Sequence, residues 1–284
     1  MKKIYHFSGA GNDFVVIDGR EGDVSAFREV PRIEALCKEF KTDGLMILGM
    51  PDQVGHDDGS TGSATFMADR DRPSVDFTME FYNPDGSGGM MCGNGGRCIV
   101  AFADYLGIRP SSGGVFLFMA PDGLHTGEIL ERPADDLWTV RIKMIDVQGI
   151  TPMLGGYFLN TGTRHFVKFV DDVEQVDVAA EGKALRWNEA FAPIGTNVNF
   201  VQVAPDGLHV RTFEKGVEGE TLACGTGLTA CALVAHHAGV PTATPGAYRL
   251  RARQDWLSVN FTPGADEKFT DVYLTGPARL VEIR

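Results

Sequence analysis

The feature that most constrains this chain is that it repeats itself around two cysteines. The tetrad Cys92-Gly93-Asn94-Gly95 is matched by Cys224-Gly225-Thr226-Gly227. Each tetrad follows an alternating, strand-like stretch (Asp76 to Tyr82, and Leu208 to Glu214) and a Gly-rich turn. Each precedes an apolar helix-like run, Arg97 to Leu106 stopped by Gly107, and Leu228 to Ala238 stopped by Gly239; Gly just past a helix end is the expected stop. Earlier in each half lies a strand-turn-strand pattern, Tyr5 to Val16 and Tyr157 to Lys168, in which Phe14-Val15 matches Phe166-Val167. Chance similarity rarely keeps this order. Both helices are apolar on nearly every side, which predicts burial. The expected fold is therefore α/β, in two halves, each a curved, mostly antiparallel sheet around one central helix.

A chain of 284 residues suits two domains, each of roughly 130 to 150 residues. With 43% hydrophobic and 23% charged residues, each half can bury a core. The net charge of −12 argues against nucleic acid or an anionic membrane as partner. A small anion held by local donors stays open. No run is long and apolar enough to span a membrane, and no signal core follows the basic Lys2-Lys3. Five cysteines without disulfide-like spacing predict reduced thiols in a cytoplasmic protein. Gln53 to Pro73, rich in Gly, Asp and Ser, reads as a surface insertion in the first half.

The chemistry follows from where the cysteines stand. A helix N-terminus presents unpaired N–H groups and about half a positive charge. It lowers a thiol pKa from ~8.5 to as little as ~3.5 to 7.5. The adjacent glycines let an anion approach the bare amides. Two such tetrads on related halves predict a cleft with one thiol on each side, as a racemase or epimerase needs. One thiolate removes a proton from Cα and the opposite thiol returns one to the other face. Amides at the α-carboxylate stabilise the developing charge. Cys37, Cys98 and Cys231 read as core residues instead. No CxxC pair supports a structural zinc site, and Gly9-Ala10-Gly11-Asn12-Asp13 lacks the third glycine and the helix of a dinucleotide fingerprint. No metal site is expected, and no lysine stands in a context that suggests pyridoxal phosphate, although the residues alone leave that cofactor open.

Five motifs carry a family resemblance: Gly9-Ala10-Gly11-Asn12-Asp13-Phe14, Asn83-Pro84-Asp85-Gly86-Ser87, Cys92 through Cys98, Gly219-Glu220-Thr221 and Ala223-Cys224-Gly225-Thr226-Gly227. In this order, across essentially the whole chain, they resemble diaminopimelate epimerase. The resemblance implies a cofactor-independent two-base enzyme converting LL- to meso-diaminopimelate. It implies pseudo-symmetric domains at 1–146 and 147–272, with 273–284 returning to the first, and a homodimer. Its partner would be a small amino-acid substrate. Carried over by residue, Cys92 and Cys224 are the acid–base pair. Gly93, Asn94, Gly225 and Thr226 hold the α-carboxylate, and Asn12, Asn83 and Asn197 bind substrate, mainly its distal end. Glu214 accepts from the substrate ammonium, and His165 helps set thiol protonation. On the residues alone, His165 reads equally as a core histidine, Asn197 as a turn residue and Glu214 as a solvated strand end.

The chain departs from the family pattern at Thr163-Arg164-His165, where Asn-Pro-His is usual, and at Glu214-Lys215-Gly216, where Glu-Arg-Gly is usual. Ser8 stands where histidine is frequent. Lysine lacks the guanidinium fork that meets a distal carboxylate. Thr163, Arg164 and Lys215 are therefore candidate distal-pocket residues, with Arg164 supplying part of the fork or else facing solvent. The alternatives are a racemase of another amino acid, such as histidine, on the same fold, and a non-catalytic amino-acid-binding relative.

Overall fold

The computed structural model describes residues 2–51, 74–89 and 91–284. The insertion expected at Gln53 to Pro73 lies outside the described residues. In chain order the main elements begin with β1 (Ile4–Gly9), β2 (Asn12–Asp18), α1 (Val30–Phe40), β3 (Gly44–Gly49) and β4 (Phe77–Tyr82). Next come α2 (Gly93–Tyr105), β5 (Val115–Ala120), β6 (Gly123–Ala134) and β7 (Leu137–Lys143). They are followed by β8 (Val147–Gln148), β9 (Thr151–Met153), β10 (Gly156–Asn160), β11 (Arg164–Phe169), α3 (Val178–Arg186) and β12 (Asn197–Ala204). The last are β13 (Gly207–Glu214), β14 (Gly219–Thr221), α4 (Gly225–His237), β15 (Ala247–Arg251), β16 (Trp256–Pro263) and β17 (Lys268–Ile283).

The chain divides into two compact units. One holds Met1–Ser8, Asp13–Val140 and Ala278–Arg284; the other holds Gly9–Asn12 and Arg141–Pro277. The turn Gly9–Asn12 thus goes with the second unit, where Gly11, at φ 86°, comes against Leu222; a Cβ there would lie 2.9 Å from the leucine Cβ.

The sequence repeat is a repeat of topology. In the first unit β2 runs parallel to β3, β3 antiparallel to β4, β4 parallel to β5, and β5 antiparallel to β6. In the second unit β11, β12, β13, β15 and β16 follow the same order of parallel and antiparallel pairings. The sheets are mixed because each parallel pairing needs a crossover, and a helix supplies it: α1 and α3 span the first crossover, α2 and α4 the second. Each unit is therefore α/β, a sheet built around one enclosed helix.

Those two helices survive poor local propensity through burial. Gly93, Gly95 and Gly96 fall in the first turn of α2, at a cost of ~1 kcal/mol each relative to alanine. Every residue from Gly93 to Ala103 is buried, and packing Ile99, Val100 and Phe102 returns about 1.5–3 kcal/mol per side chain. The helix α4 is likewise buried from Leu228 to Ala235. Gly107 at φ 78° and Gly239 at φ 73° follow the ends of α2 and α4, as the sequence predicts. Both helices begin earlier than the apolar runs suggest, taking the tetrad glycines into the first turn and leaving each cysteine as N-cap.

Central strands are buried on both faces. In β12, Phe200 and Val198 pack with Phe166, Phe191 and Phe213 on the side that holds Val178 of α3. Val201 and Val167 pack with the apolar face of α4. Strand alternation thus sorts β11 and β12 into an α3 side and an α4 side. Among the described residues, no helix is long and apolar enough to cross a membrane.

Candidate functional site

In the first unit Cys92 caps α2 with extended backbone, φ −102° and ψ 151°, and its Sγ accepts a hydrogen bond from the Gly95 amide at 3.2 Å. The thiol is exposed. A Cβ at Gly95 would stand 3.3 Å from that sulfur, so glycine keeps the sulfur close to the helix start. Beneath it lies Arg97, fully buried. Its guanidinium donates to the Gly93 carbonyl at 3.2 Å and to Asn94 Oδ1 at 2.8 Å, holding the side chain of Asn94 along the first turn. Sequence reasoning missed Arg97; its signal was a lone charge entering an otherwise apolar run. Asn83 sits in the turn after β4, where its amide donates to Ser87 Oγ at 2.9 Å and its backbone N–H to the Ser87 carbonyl at 2.8 Å.

In the second unit Cys224 caps α4 with φ −116° and ψ 107°, and it is 7% exposed. Its Sγ lies 3.5 Å from Thr226 Oγ1. Thr226 Oγ1 is 3.0 Å from His165 Nε2 and 3.2 Å from Thr163 Oγ1, which itself is 2.9 Å from the same ring nitrogen. Thr161 adds a bond from its hydroxyl to the Thr226 carbonyl at 2.9 Å. His165 is fully buried, and desolvation of the charged ring pushes its pKa down to about 3, so the imidazole is neutral near pH 7. The structure therefore brings Cys224, Thr226, Thr163 and His165 together.

Two asparagines, two positions apart on β12, support this group from one face of the strand. Asn197 donates to Thr163 Oγ1 at 3.3 Å and to the Arg164 carbonyl at 3.0 Å, and accepts from the Lys215 amide at 2.8 Å. Asn199 donates to the Phe166 carbonyl at 3.1 Å and lies 3.1 Å from His165 Nδ1, while Thr212 donates to its Oδ1 at 2.9 Å. Both amide N–H groups of Asn197 are thus engaged within the unit. Asn199 and Thr212 were missed in the sequence. The signal was the polar pair Asn197 and Asn199 at alternate positions of an apolar strand.

Arg164 does not join them. Being one residue from His165 on a strand, it faces the α3 side. Its guanidinium lies 5.0 Å over the Phe158 ring and donates to the Phe191 carbonyl at 3.3 Å. The sequence expects this arginine either at a distal pocket or facing solvent; here its guanidinium rests against Phe158 and the Phe191 carbonyl. Lys215 lies on the turn after β13 and Glu214 at that strand's end, and Asn12 is at the start of β2. Among the described residues, no group of three or more His, Cys, Asp or Glu could hold a metal ion.

Residues 157–281, nearly all of them in the second unit, match the diaminopimelate epimerase family. Over nearly its whole length the chain is similar to named enzymes. It is 37% identical to the diaminopimelate epimerase of Chlorobaculum tepidum, over 96% of this chain and 97% of the relative. It is 35% identical to that of Flavobacterium psychrophilum, over 98% of each chain. Among solved structures, a Bacillus anthracis phenazine biosynthesis protein of the PhzF family matches with a TM-score of 0.70 at 10% identity, covering 100% of this chain and 98% of that one. A hydroxyproline epimerase from Agrobacterium vitis matches with a TM-score of 0.61 at 15% identity, covering 100% of this chain and 91% of that one. These two structures share the fold; the sequence relatives, matched from end to end, place the chain in the diaminopimelate epimerase family of isomerases.

Proposed function

We propose that this epimerase interconverts LL- and meso-diaminopimelate, with Cys92 and Cys224 as its acid and base and without a cofactor. The observation that carries the reading is that both tetrad cysteines cap a buried helix, with Sγ beside a donor in each unit. A helix N-terminus favours negative charge on such a sulfur. Removing the Cα proton from one face and delivering another to the opposite face inverts the centre, and each thiol serves one face. The first-turn amides of Gly93 and Asn94, and of Gly225 and Thr226, are suited to an α-carboxylate because such amides have no acceptor within the helix. They stabilise the negative charge that builds as Cα loses its proton. His165, neutral and held by Thr163 and Thr226, orients donors toward Cys224. Glu214 remains the candidate for the substrate ammonium, and Asn12, Asn83 and Lys215 for the distal end.

The test is uptake of deuterium at Cα in heavy water. Wild-type protein given LL-diaminopimelate incorporates the label and forms the meso isomer. Cys92→Ala and Cys224→Ala each lower the rate by about 10²–10⁴-fold. No thiol-dependent uptake from diaminopimelate would sink the reading. Uptake from histidine in its place would point to a racemase on the same fold.

A further inference from the structure

The hydrogen bonds around His165 run in one direction, set by the carbonyl and hydroxyl groups that surround it. A carbonyl oxygen can only accept, so the group facing the Phe166 carbonyl at 3.1 Å is the Asn199 NH₂. Thr212, donating at 2.9 Å to Asn199 Oδ1, agrees with that orientation. The second hydrogen of the same NH₂ meets His165 Nδ1 at 3.1 Å. That ring nitrogen therefore accepts, and the neutral ring carries its proton on Nε2. Nε2–H then donates to Thr163 Oγ1 at 2.9 Å and is shared with Thr226 Oγ1 at 3.0 Å. Asn197 donates to the same oxygen at 3.3 Å, its amide held in register by the Lys215 N–H and the Arg164 carbonyl. With both lone pairs occupied, the Thr163 proton is left for Thr226 Oγ1 at 3.2 Å, and the Thr226 proton for Cys224 Sγ at 3.5 Å.

We infer that Asn199 is a positioning residue of the epimerase: it locks His165 in the Nε2–H tautomer and thereby aims the Thr226 hydroxyl at Cys224 as a donor. His165 acts as a fixed relay of hydrogen-bond direction, and the proton that moves belongs to the thiol. The inference rests on the reading of Cys224 as a reacting thiol. The fold reserves space for the lock: a Cβ at Gly227 would lie 2.4 Å from Asn199 Oδ1 and 3.3 Å from His165 Cε1.

The experiment is a ring-nitrogen NMR spectrum of the full-length protein labelled at its seven histidines, with His165 assigned by its loss in His165→Gln. At pH 7 the wild-type protein should show a bare Nδ1 and a protonated Nε2. Asn199→Asp replaces the donor with an acceptor of the same shape, so Nδ1 should gain the proton. In that variant kcat for deuterium exchange should fall about 10²-fold, with KM held within about twofold, as expected for lost orientation at the reacting group. A wild-type spectrum with Nδ1–H, or an imidazolium, overturns the inference even if the variants fail to fold. So does an Asn199→Asp protein with swapped tautomer and unchanged kcat. The spectrum involves no substrate, so a locked Nε2–H ring without diaminopimelate exchange would fault the substrate assignment and not the lock.

Discussion

Gly227, in the first turn of α4, stands against the amide of Asn199, and a Cβ built on it would lie 2.4 Å from Asn199 Oδ1. The corresponding glycine of the first unit, Gly95, is less constrained. Its Cβ would meet Cys92 Sγ at 3.3 Å and Met46 Sδ at 3.4 Å, both flexible side-chain atoms. The two substitutions should therefore part company. Gly227→Ala should cost about 1–3 kcal/mol of stability through overpacking and should reduce turnover by displacing the amide from His165. Gly95→Ala should leave stability within about 1 kcal/mol, because a helical alanine offsets the crowding, while lowering turnover through the displaced sulfur. Thermal unfolding and kcat on the same preparations separate the two; equal loss of stability would contradict the geometry.

Arg97 anchors the start of α2 from beneath. Arg97→Met removes the donors to Gly93 O and Asn94 Oδ1 and leaves those acceptors buried. The expected loss is about 3 kcal/mol, a fall in Tm of roughly 5–10 °C for a protein of this size. A shift below about 1 °C would show that the arginine is not an anchor.

His165 sets a pH dependence of stability. Its pKa is pushed down to about 3 in the folded chain by burial, against ~6.5 when unfolded. Between those values the unfolded state binds a proton that the folded state refuses, so stability rises with pH across this window. On acidification the contribution begins to be lost below about pH 6.5, at ~1.4 kcal/mol per unit for one proton. Chemical denaturation at pH 7.5 and 5 should show a steeper fall for wild type than for His165→Gln. Identical slopes would mean that the ring is protonated in the folded chain.

Arg164 is tied to Phe158 and to the Phe191 carbonyl. Arg164→Ala should cost about 1 kcal/mol through the lost cation–π and hydrogen-bond contacts and leave KM for diaminopimelate within about twofold. A tenfold rise in KM would place this arginine in the substrate pocket.

The sequence by itself determined the repeat, the two cysteine caps and the buried helices. These are local signals: glycines beside a cysteine, apolar periodicity, and a glycine stop at Gly107 and Gly239. It also made Cys92 and Cys224 equivalent, because a duplicated order of motifs is legible without coordinates. The start of each helix was less legible, since Gly93, Gly95, Gly225 and Gly227 have low helix propensity and only burial holds them in the first turn. Tertiary structure alone decided what surrounds Cys224. Strand alternation turned His165 toward α4 and Arg164 toward α3, and the pairing of β11 with β12 brought Asn197 and Asn199 to the histidine and threonine side chains. Those partners are more than 30 residues away in the chain, so no local pattern could name them. The fate of a buried polar side chain depends on which acceptor the fold places opposite it, and for Asn199 that acceptor is the Phe166 carbonyl.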